Sequence, residues 1–246
     1  MNVEHRTSNV ERRTRIKTGV VIVAAGEGRR MKGREKLFHL VGGVPLLALT
    51  IGAYQRHPEI EVVVLVGNEE VIGRFEKELR NKYGLSKVIA TAPGGARRQD
   101  SVFNGLQAFP EQPGIVLIHD GDRPFVDREI ISAVLEGAGK GGAIAAVPVK
   151  DTVKKVDGSR IIIDTPARTE LRLAQTPQGF PYGIIMSAHE KAREEEWVVT
   201  DDASMVEQMG GEVRVVDGSY DNIKITTPED LVLAEIIYRE WGVGSR

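Results

Sequence analysis

From Gly19 onward, short runs rich in Val, Ile and Ala alternate with amphipathic segments, and nothing else in the chain limits its fold so sharply. The runs at 19–25, 61–67, 87–91, 115–119 and 143–149 read as strands, and the segments near 45–56, 69–82, 99–109 and 127–139 read as helices. Strands that are apolar along their whole length, rather than at every second residue, must be covered on both faces. The repeated order therefore implies an α/β fold with a mostly parallel central sheet. Ligands of such sheets bind beyond the carboxyl ends of the strands, so the loops that follow each run are where chemistry is expected.

The rhythm breaks at 150–175. There Asp151-Thr-Val-Lys-Lys-Val, a turn at Asp157-Gly158-Ser159 and Ile161-Ile-Ile read as a β-hairpin without a covering helix. Two strands alone are marginal in water. This protruding arm is expected to pack on something else, and a second copy of the chain is the economical candidate. Beyond it the pattern predicts a helix near 181–196, a short helix opened by Thr200-Asp201, strands at 212–216 and 222–226, and a final helix. Thr227-Pro228-Glu229-Asp230 begins that helix with a capping residue, a proline at the first helical position and an acid at the third.

Composition removes whole classes. The 246 residues include no cysteine, so disulfide scaffolds, thiolate zinc sites and cysteine nucleophiles drop out, which fits a cytoplasmic protein. The longest apolar runs are strand-sized, short of the roughly 20 residues of a membrane span, so no membrane partner is expected. A net charge of −2 offers no bulk attraction to a nucleic acid. That balance is uneven, because residues 1–18 hold five Lys/Arg and two Glu and leave −5 for the rest. The same tail repeats Asn-Val-Glu-His-Arg-Thr (2–7) as Asn-Val-Glu-Arg-Arg-Thr (9–14). One apolar residue per repeat is too few for a coiled coil, and no apolar core of a secretory signal is present. Residues 1–18 are expected to be a disordered extension of a domain spanning 19–246.

Three loops carry the candidate chemistry. Ala24-Ala25-Gly26-Glu27-Gly28-Arg29-Arg30-Met31 follows the first run, with Lys32, Arg34 and Lys36 close behind. Gly26 and Gly28 free the backbone to turn N–H groups toward an anion, and the cations suit a polyphosphate. Met31 stands where a dinucleotide fingerprint needs its third glycine, and the Gly-Lys-Ser/Thr of a P-loop is missing. A solvated basic loop is the plainer reading of this segment alone. The second loop, Pro93-Gly94-Gly95-Ala96-Arg97-Arg98-Gln99-Asp100-Ser101, runs from strand to helix, where backbone donors and the Ser101 hydroxyl suit a ribose or a base edge; a mere connecting turn reads equally well. The third is His119-Asp120-Gly121-Asp122-Arg123-Pro124. Asp120 and Asp122 suit Mg²⁺ shared with substrate phosphates, or ordinary turn chemistry, and His119 reads as structural rather than as a base. Arg168 in the arm and Lys224 between Ile223 and Ile225 are isolated cations in β-patterned stretches. No Gly-x-Ser-x-Gly motif appears and histidines are sparse, so these glycines, cations and carboxylates point to phosphoryl or nucleotidyl transfer.

In chain order, Ala24–Met31, Gly94–Val102, His119-Asp120, Arg123-Pro124, Pro148–Lys154, Ala174-Gln-Thr-Pro-Gln178, Thr200-Asp-Asp-Ala-Ser204 and Asp221–Leu231 closely resemble the 2-C-methyl-D-erythritol 4-phosphate cytidylyltransferase family, over about 19 to 240. The resemblance implies a Rossmann-like nucleotidyltransferase fold and a homodimer that exchanges the 150–175 arm. It also implies in-line attack of methylerythritol phosphate on the α-phosphorus of CTP, with Mg²⁺ or another divalent cation and loss of pyrophosphate. Carried over by motif, Arg30 and Lys36 would stabilise charge on the α-phosphate and the leaving group. Ala24, Ala25, Gly26, Gly28, Gly95 and Ser101 would hold the nucleotide. Asp120, Arg123, Thr152, Arg168 and Lys224 would bind and aim the methylerythritol phosphate, Arg168 and Lys224 as catalytic cations. Thr152 and Arg168 would reach in from the partner's arm, and Thr200 would line the same pocket.

Departures from the family pattern are Glu35 where a proline usually precedes the loop lysine, Asp122 where a small residue is common, and the duplicated tail. Asp122 is expected to recruit Mg²⁺ or to pair with Arg123. A ribitol 5-phosphate cytidylyltransferase and a non-catalytic nucleotide-binding regulator are the competing readings, while Met31 disfavours an NAD-dependent oxidoreductase.

Overall fold

A computed structural model of the chain describes residues 17–26 and 36–241. The expected disordered tail therefore lies outside the described residues, apart from Lys17 and Thr18, as do Gly28 and Arg30. In order, the elements are β1 (Thr18–Val23), a 3₁₀ turn (Lys36–Phe38), β2 (Leu40–Val41), β3 (Val44–Pro45), α1 (Leu46–Arg56), β4 (Val62–Gly67), α2 (Glu69–Arg74), β5 (Val88–Pro93), α3 (Arg98–Gln107), β6 (Ile115–Asp120), α4 (Arg128–Ala138) and β7 (Ala143–Pro148). Then come β8 (Lys155–Val156), β9 (Ile162–Asp164), β10 (Arg172–Pro181), α5 (Tyr182–Glu194), α6 (Asp202–Gln208), β11 (Arg214–Asp217) and α7 (Pro228–Glu240).

Seven strands form one sheet in the order β11-β7-β10-β6-β1-β4-β5. Every strand runs parallel to its neighbours except β10, which is antiparallel to both β6 and β7. The apolar runs are buried on both faces, as their composition requires. Val20 and Ile22 of β1 join a core with Leu47, Ile51 and Val134, while Val21 joins a second core with Val102, Leu106 and Ile185. At α7, the Asp230 carboxylate accepts from the backbone N–H of Thr227 at 2.8 Å and closes the anticipated cap.

Three sequence expectations need correction. Residues 222–226 form no strand. The Ile225 N–H donates to the Asp122 carbonyl at 2.9 Å, and Asn222 and Ile225 are fully buried. The alternation there reflects two anchoring side chains rather than a ladder. The helix expected over 69–82 is α-helical only to Arg74, after which Phe75–Leu79 widens into a π-turn with Arg80 N–H bonding to the Phe75 carbonyl at 2.9 Å. The ten-residue strand β10 had no apolar signature, because its buried residues include Gln175, Thr176 and Gln178.

The arm is the predicted hairpin in miniature. β8 and β9 pair antiparallel, and the Asp157 carboxylate accepts from Ser159 N–H and Ile161 N–H, each at 2.9 Å, to shape the turn. Residues 151–165 are all exposed, including Ile161, Ile162 and Ile163.

Candidate active site

Strand register sets the site. Val23 of β1 lies opposite Val66 of β4 and Asp120 of β6, so the loops after these strands leave from one rim. Pairing continues past the strand ends: Ala24 N–H donates to Val66 O at 2.7 Å, Gly94 N–H to Gly67 O at 3.1 Å and Gly121 N–H to Val23 O at 2.8 Å. Loops packed this closely need glycine. A Cβ on Gly94 would collide with the Ala25 side chain, and one on Gly121 would stand 3.0 Å from the Val23 carbonyl oxygen. Between the loops lies an open cleft of about 540 Å³, whose walls include Ala25, Gly26, Lys36, Gly95, Ser101 and Asp120. Ala24 is buried behind Ala25. Ser101 shapes the glycine loop as well as lining it, since its hydroxyl accepts from Gly95 N–H at 2.9 Å and donates to the Arg97 carbonyl at 3.2 Å.

Asp120 is the hub. Its Oδ1 accepts from Arg98 Nε at 3.1 Å and its Oδ2 from Lys224 Nζ at 2.8 Å, with Arg123 Nε 3.7 Å away. Burial alone would raise the Asp120 pKa, but the charges of Arg98 and Lys224 outweigh it and hold the carboxyl well below the usual range. Arg98 extends the network inward, donating from Nη1 to Asp202 Oδ2 at 2.7 Å. Asp202 is completely buried at the start of α6, with His189 Nε2 3.3 Å from its Oδ1. Burial again opposes ionisation, and Arg98 again overcomes it, so Asp202 is also held as the carboxylate. Arg123 donates from Nη1 to the Asn222 carbonyl at 2.8 Å, tying the Lys224 segment to the rim.

Asp122 pairs with Lys36, whose Nζ stands 2.6 Å from its Oδ2, rather than forming the expected pair with Arg123. His119 is structural, as expected. Asp120 N–H donates to Thr176 Oγ1 at 3.1 Å, which leaves the single Thr176 hydroxyl proton for His119 Nδ1 at 3.0 Å. His119 Nε2–H then donates to the Arg123 carbonyl at 3.0 Å. Burial pushes the imidazole pKa down to about 4, and the ring is neutral at pH 7.

The structure thus brings Ala25, Gly26, Lys36, Gly95, Ser101, Asp120, Asp122 and Lys224 to one cleft, with Arg123 directly behind. Thr152, Arg168 and Thr200 do not line it. Arg168 lies at the root of the arm, donating to the Lys150 carbonyl at 2.6 Å, beside a separate cavity of about 510 Å³ with Lys150, Arg172 and Tyr220. Thr152 is exposed on the arm, and Thr200 is exposed just before Asp201, whose side chain caps α6. Sequence reasoning missed Arg98 and Asp202, although both stand inside motifs it singled out. Nothing local distinguishes Arg98 from Arg97, which pairs with Asp100 on the exposed side.

Comparison with known proteins agrees with this geometry. The model of the 2-C-methyl-D-erythritol 4-phosphate cytidylyltransferase (IspD) family matches residues 18–240. A Bacillus cereus protein of that name is 46% identical over 222 residues, 89% of this chain and 97% of the relative. A Halalkalibacterium halodurans protein of the same name is 48% identical over 223 residues, 90% of this chain and 96% of its own. Among solved structures, the Anaerococcus prevotii 4-diphosphocytidyl-2C-methyl-D-erythritol synthase superposes with a TM-score of 0.81 at 33% identity, covering 91% of this chain and 96% of the other. The Thermus thermophilus 2-C-methyl-D-erythritol 4-phosphate cytidylyltransferase gives 0.75 at 34%, covering 91% and 100%. The fold is the nucleotidyltransferase fold of these structures, and the chain belongs to the 2-C-methyl-D-erythritol 4-phosphate cytidylyltransferase family.

Proposed function

We infer that this chain transfers the cytidylyl group of CTP to 2-C-methyl-D-erythritol 4-phosphate, giving 4-diphosphocytidyl-2-C-methyl-D-erythritol and pyrophosphate in the methylerythritol phosphate route to isoprenoid precursors. The observation that carries this reading is the cleft itself, in which Lys36, Arg98 and Lys224 surround the space beyond β1 and β6. A phosphate oxygen of the acceptor attacks the α-phosphorus of CTP, and the bond from that phosphorus to the pyrophosphate oxygen breaks. No base is required, because a phosphate monoester with a second pKa of about 6 is already ionised at neutral pH. That fits a site in which the His119 imidazole is buried and neutral. Lys36 and Arg30 would meet the charge on the α-phosphate and leaving group, an electrostatic contribution to the transition state. Asp120, locked by Arg98 and Lys224, orients the acceptor polyol.

The donor set suits one divalent cation shared with the triphosphate. Both Asp120 oxygens face cationic side chains and Asp122 is ion-paired to Lys36, so the triphosphate oxygens and water would supply most of the ligands of a bound Mg²⁺. Bound there, the metal would neutralise charge on the phosphates. The exposed Val156, Ile161, Ile162 and Ile163 of the arm support a homodimer in which Thr152 and Arg168 of one protomer complete the cleft of its partner. Small, highly charged substrates that do not cross a bilayer unaided support a cytoplasmic reaction.

Pyrophosphate release from CTP, measured with methylerythritol phosphate and ribitol 5-phosphate offered separately, tests the assignment. Faster turnover of methylerythritol phosphate is expected. A preference for ribitol phosphate would reverse the choice of acceptor, and no release with either would leave the regulator reading.

A further inference from the structure

We propose that Asp122 is a positioning residue for Lys36, holding the ammonium on the cleft wall while the phosphates of CTP bind and react against it. This rests on the cytidylyltransferase reading of the cleft. Lys36 has a flexible four-carbon stem and a point charge, and by itself it would sample many rotamers. Asp122 selects one, with Nζ 2.6 Å from Oδ2 and each side chain only 13% exposed.

Asp122 can act as an anchor because its carbonyl and both backbone polar groups of the preceding Gly121 are hydrogen-bonded. The preceding Gly121 donates from N–H to the Val23 carbonyl at 2.8 Å and accepts from Thr50 Oγ1 at 3.0 Å, while the Asp122 carbonyl accepts from Ile225 N–H at 2.9 Å. The loop at the end of β6 thereby sets two lysines with two carboxylates, Lys224 on Asp120 and Lys36 on Asp122. The pairs differ in what backs them. Asp120 also faces Arg98 and Arg123, so it keeps cationic partners if Lys224 turns away. Among the described residues Asp122 Oδ1 has no hydrogen-bond partner and Arg123 acts on the carboxylate only at longer range, so Lys36 is the cation that stands between Asp122 and an incoming triphosphate.

Such an anchor helps the chemical step and opposes nucleotide binding. Asp122→Asn should bind CTP severalfold more tightly, because a like charge leaves the cleft, and should lose roughly 10- to 100-fold in kcat, because Lys36 is no longer held. Loss of fold would weaken binding and rate together, so the opposed signs mark the positioning role.

The decisive experiment is a double-mutant cycle of Asp122→Asn and Lys36→Met. The kcat for pyrophosphate release would be read at saturating substrates and Mg²⁺, and CTP affinity by calorimetry. In the Lys36→Met background, Asp122→Asn is expected to change kcat by less than about twofold. Independent, multiplicative costs in the double variant, weaker CTP binding by Asp122→Asn, or a rate loss cured by raising Mg²⁺ would each overturn the proposal, the last in favour of a metal ligand. A Lys36→Met enzyme with the wild-type rate would remove the reading of Lys36 itself. An impaired Lys36→Met enzyme with independent costs removes only the role of Asp122.

Discussion

The two carboxylates of the third loop are held in different ways. Asp120 faces Arg98, Arg123 and Lys224, whereas Asp122 is ion-paired to Lys36. Lys224 lies between solvent and Asp120, and the sequence alone could not separate it from an ordinary exposed lysine. Its replacement should be costly: Lys224→Met is expected to lower kcat/KM for methylerythritol phosphate by roughly 10²–10³, about 3–4 kcal/mol, the scale for one preorganised donor. KM for CTP should change far less. Steady-state kinetics with each substrate varied in turn checks the split, and an equal rise in both KM values would count against an acceptor-side role.

His119 supplies a pH dependence of a different kind. Its folded pKa of about 4 lies below the unfolded value of roughly 6.5, so the unfolded chain takes up a proton that the folded chain refuses. The stability from this residue is complete above the unfolded value and is lost as pH falls toward the folded one, on the order of 3 kcal/mol in all. The melting temperature should therefore drop between neutral pH and the mid-fours, and His119→Gln should flatten that slope. An unchanged slope in the variant would remove His119 as its source. Asp120 and Asp202, held ionised by Arg98, add their own losses only at still lower pH, as each is protonated.

At the scale of elements, the parallel strands were legible because each is a run of β-branched residues buried on both faces. The glycine loops were legible because close approach leaves no room for a side chain. β10 was not legible as a strand. Its buried residues carry amides and a hydroxyl that spend their hydrogen bonds on distant partners: Gln178 Oε1 accepts from Asp202 N–H at 3.0 Å, and Gln175 Nε2 donates to the Ser219 carbonyl at 2.8 Å. A hydrophobic pattern cannot report a strand whose interior side is polar. Residues 222–226 show the reverse error, an alternating pattern that the chain uses to anchor a loop. Arg98 and Asp202 were hidden for a related reason, since they are far apart in sequence and meet because the start of α6 is tied to Gln178 of β10.

For the whole molecule, the open question of the sequence was what the exposed arm meets. If arms are exchanged, each cleft takes Thr152 and Arg168 from its partner. Arg30→Met and Arg168→Ala protomers, each inactive alone, should then regenerate activity when mixed, because one kind of cleft in the heterodimer carries neither change. A mixture that stays inactive after confirmed subunit exchange would argue against a shared site.

The single reversed strand has a topological consequence. Because β10 runs against β7, the chain leaves one and enters the other on the rim that carries Asp120, with Arg172 opposite Pro148. Had β10 been parallel, residues 149–171 would have had to travel to the far rim, and an arm growing from them would have pointed away from the chemistry. The reversal leaves that segment as an insert between two strand ends on one rim. Its length and side chains can be changed without disturbing a ladder hydrogen bond of the seven-stranded sheet.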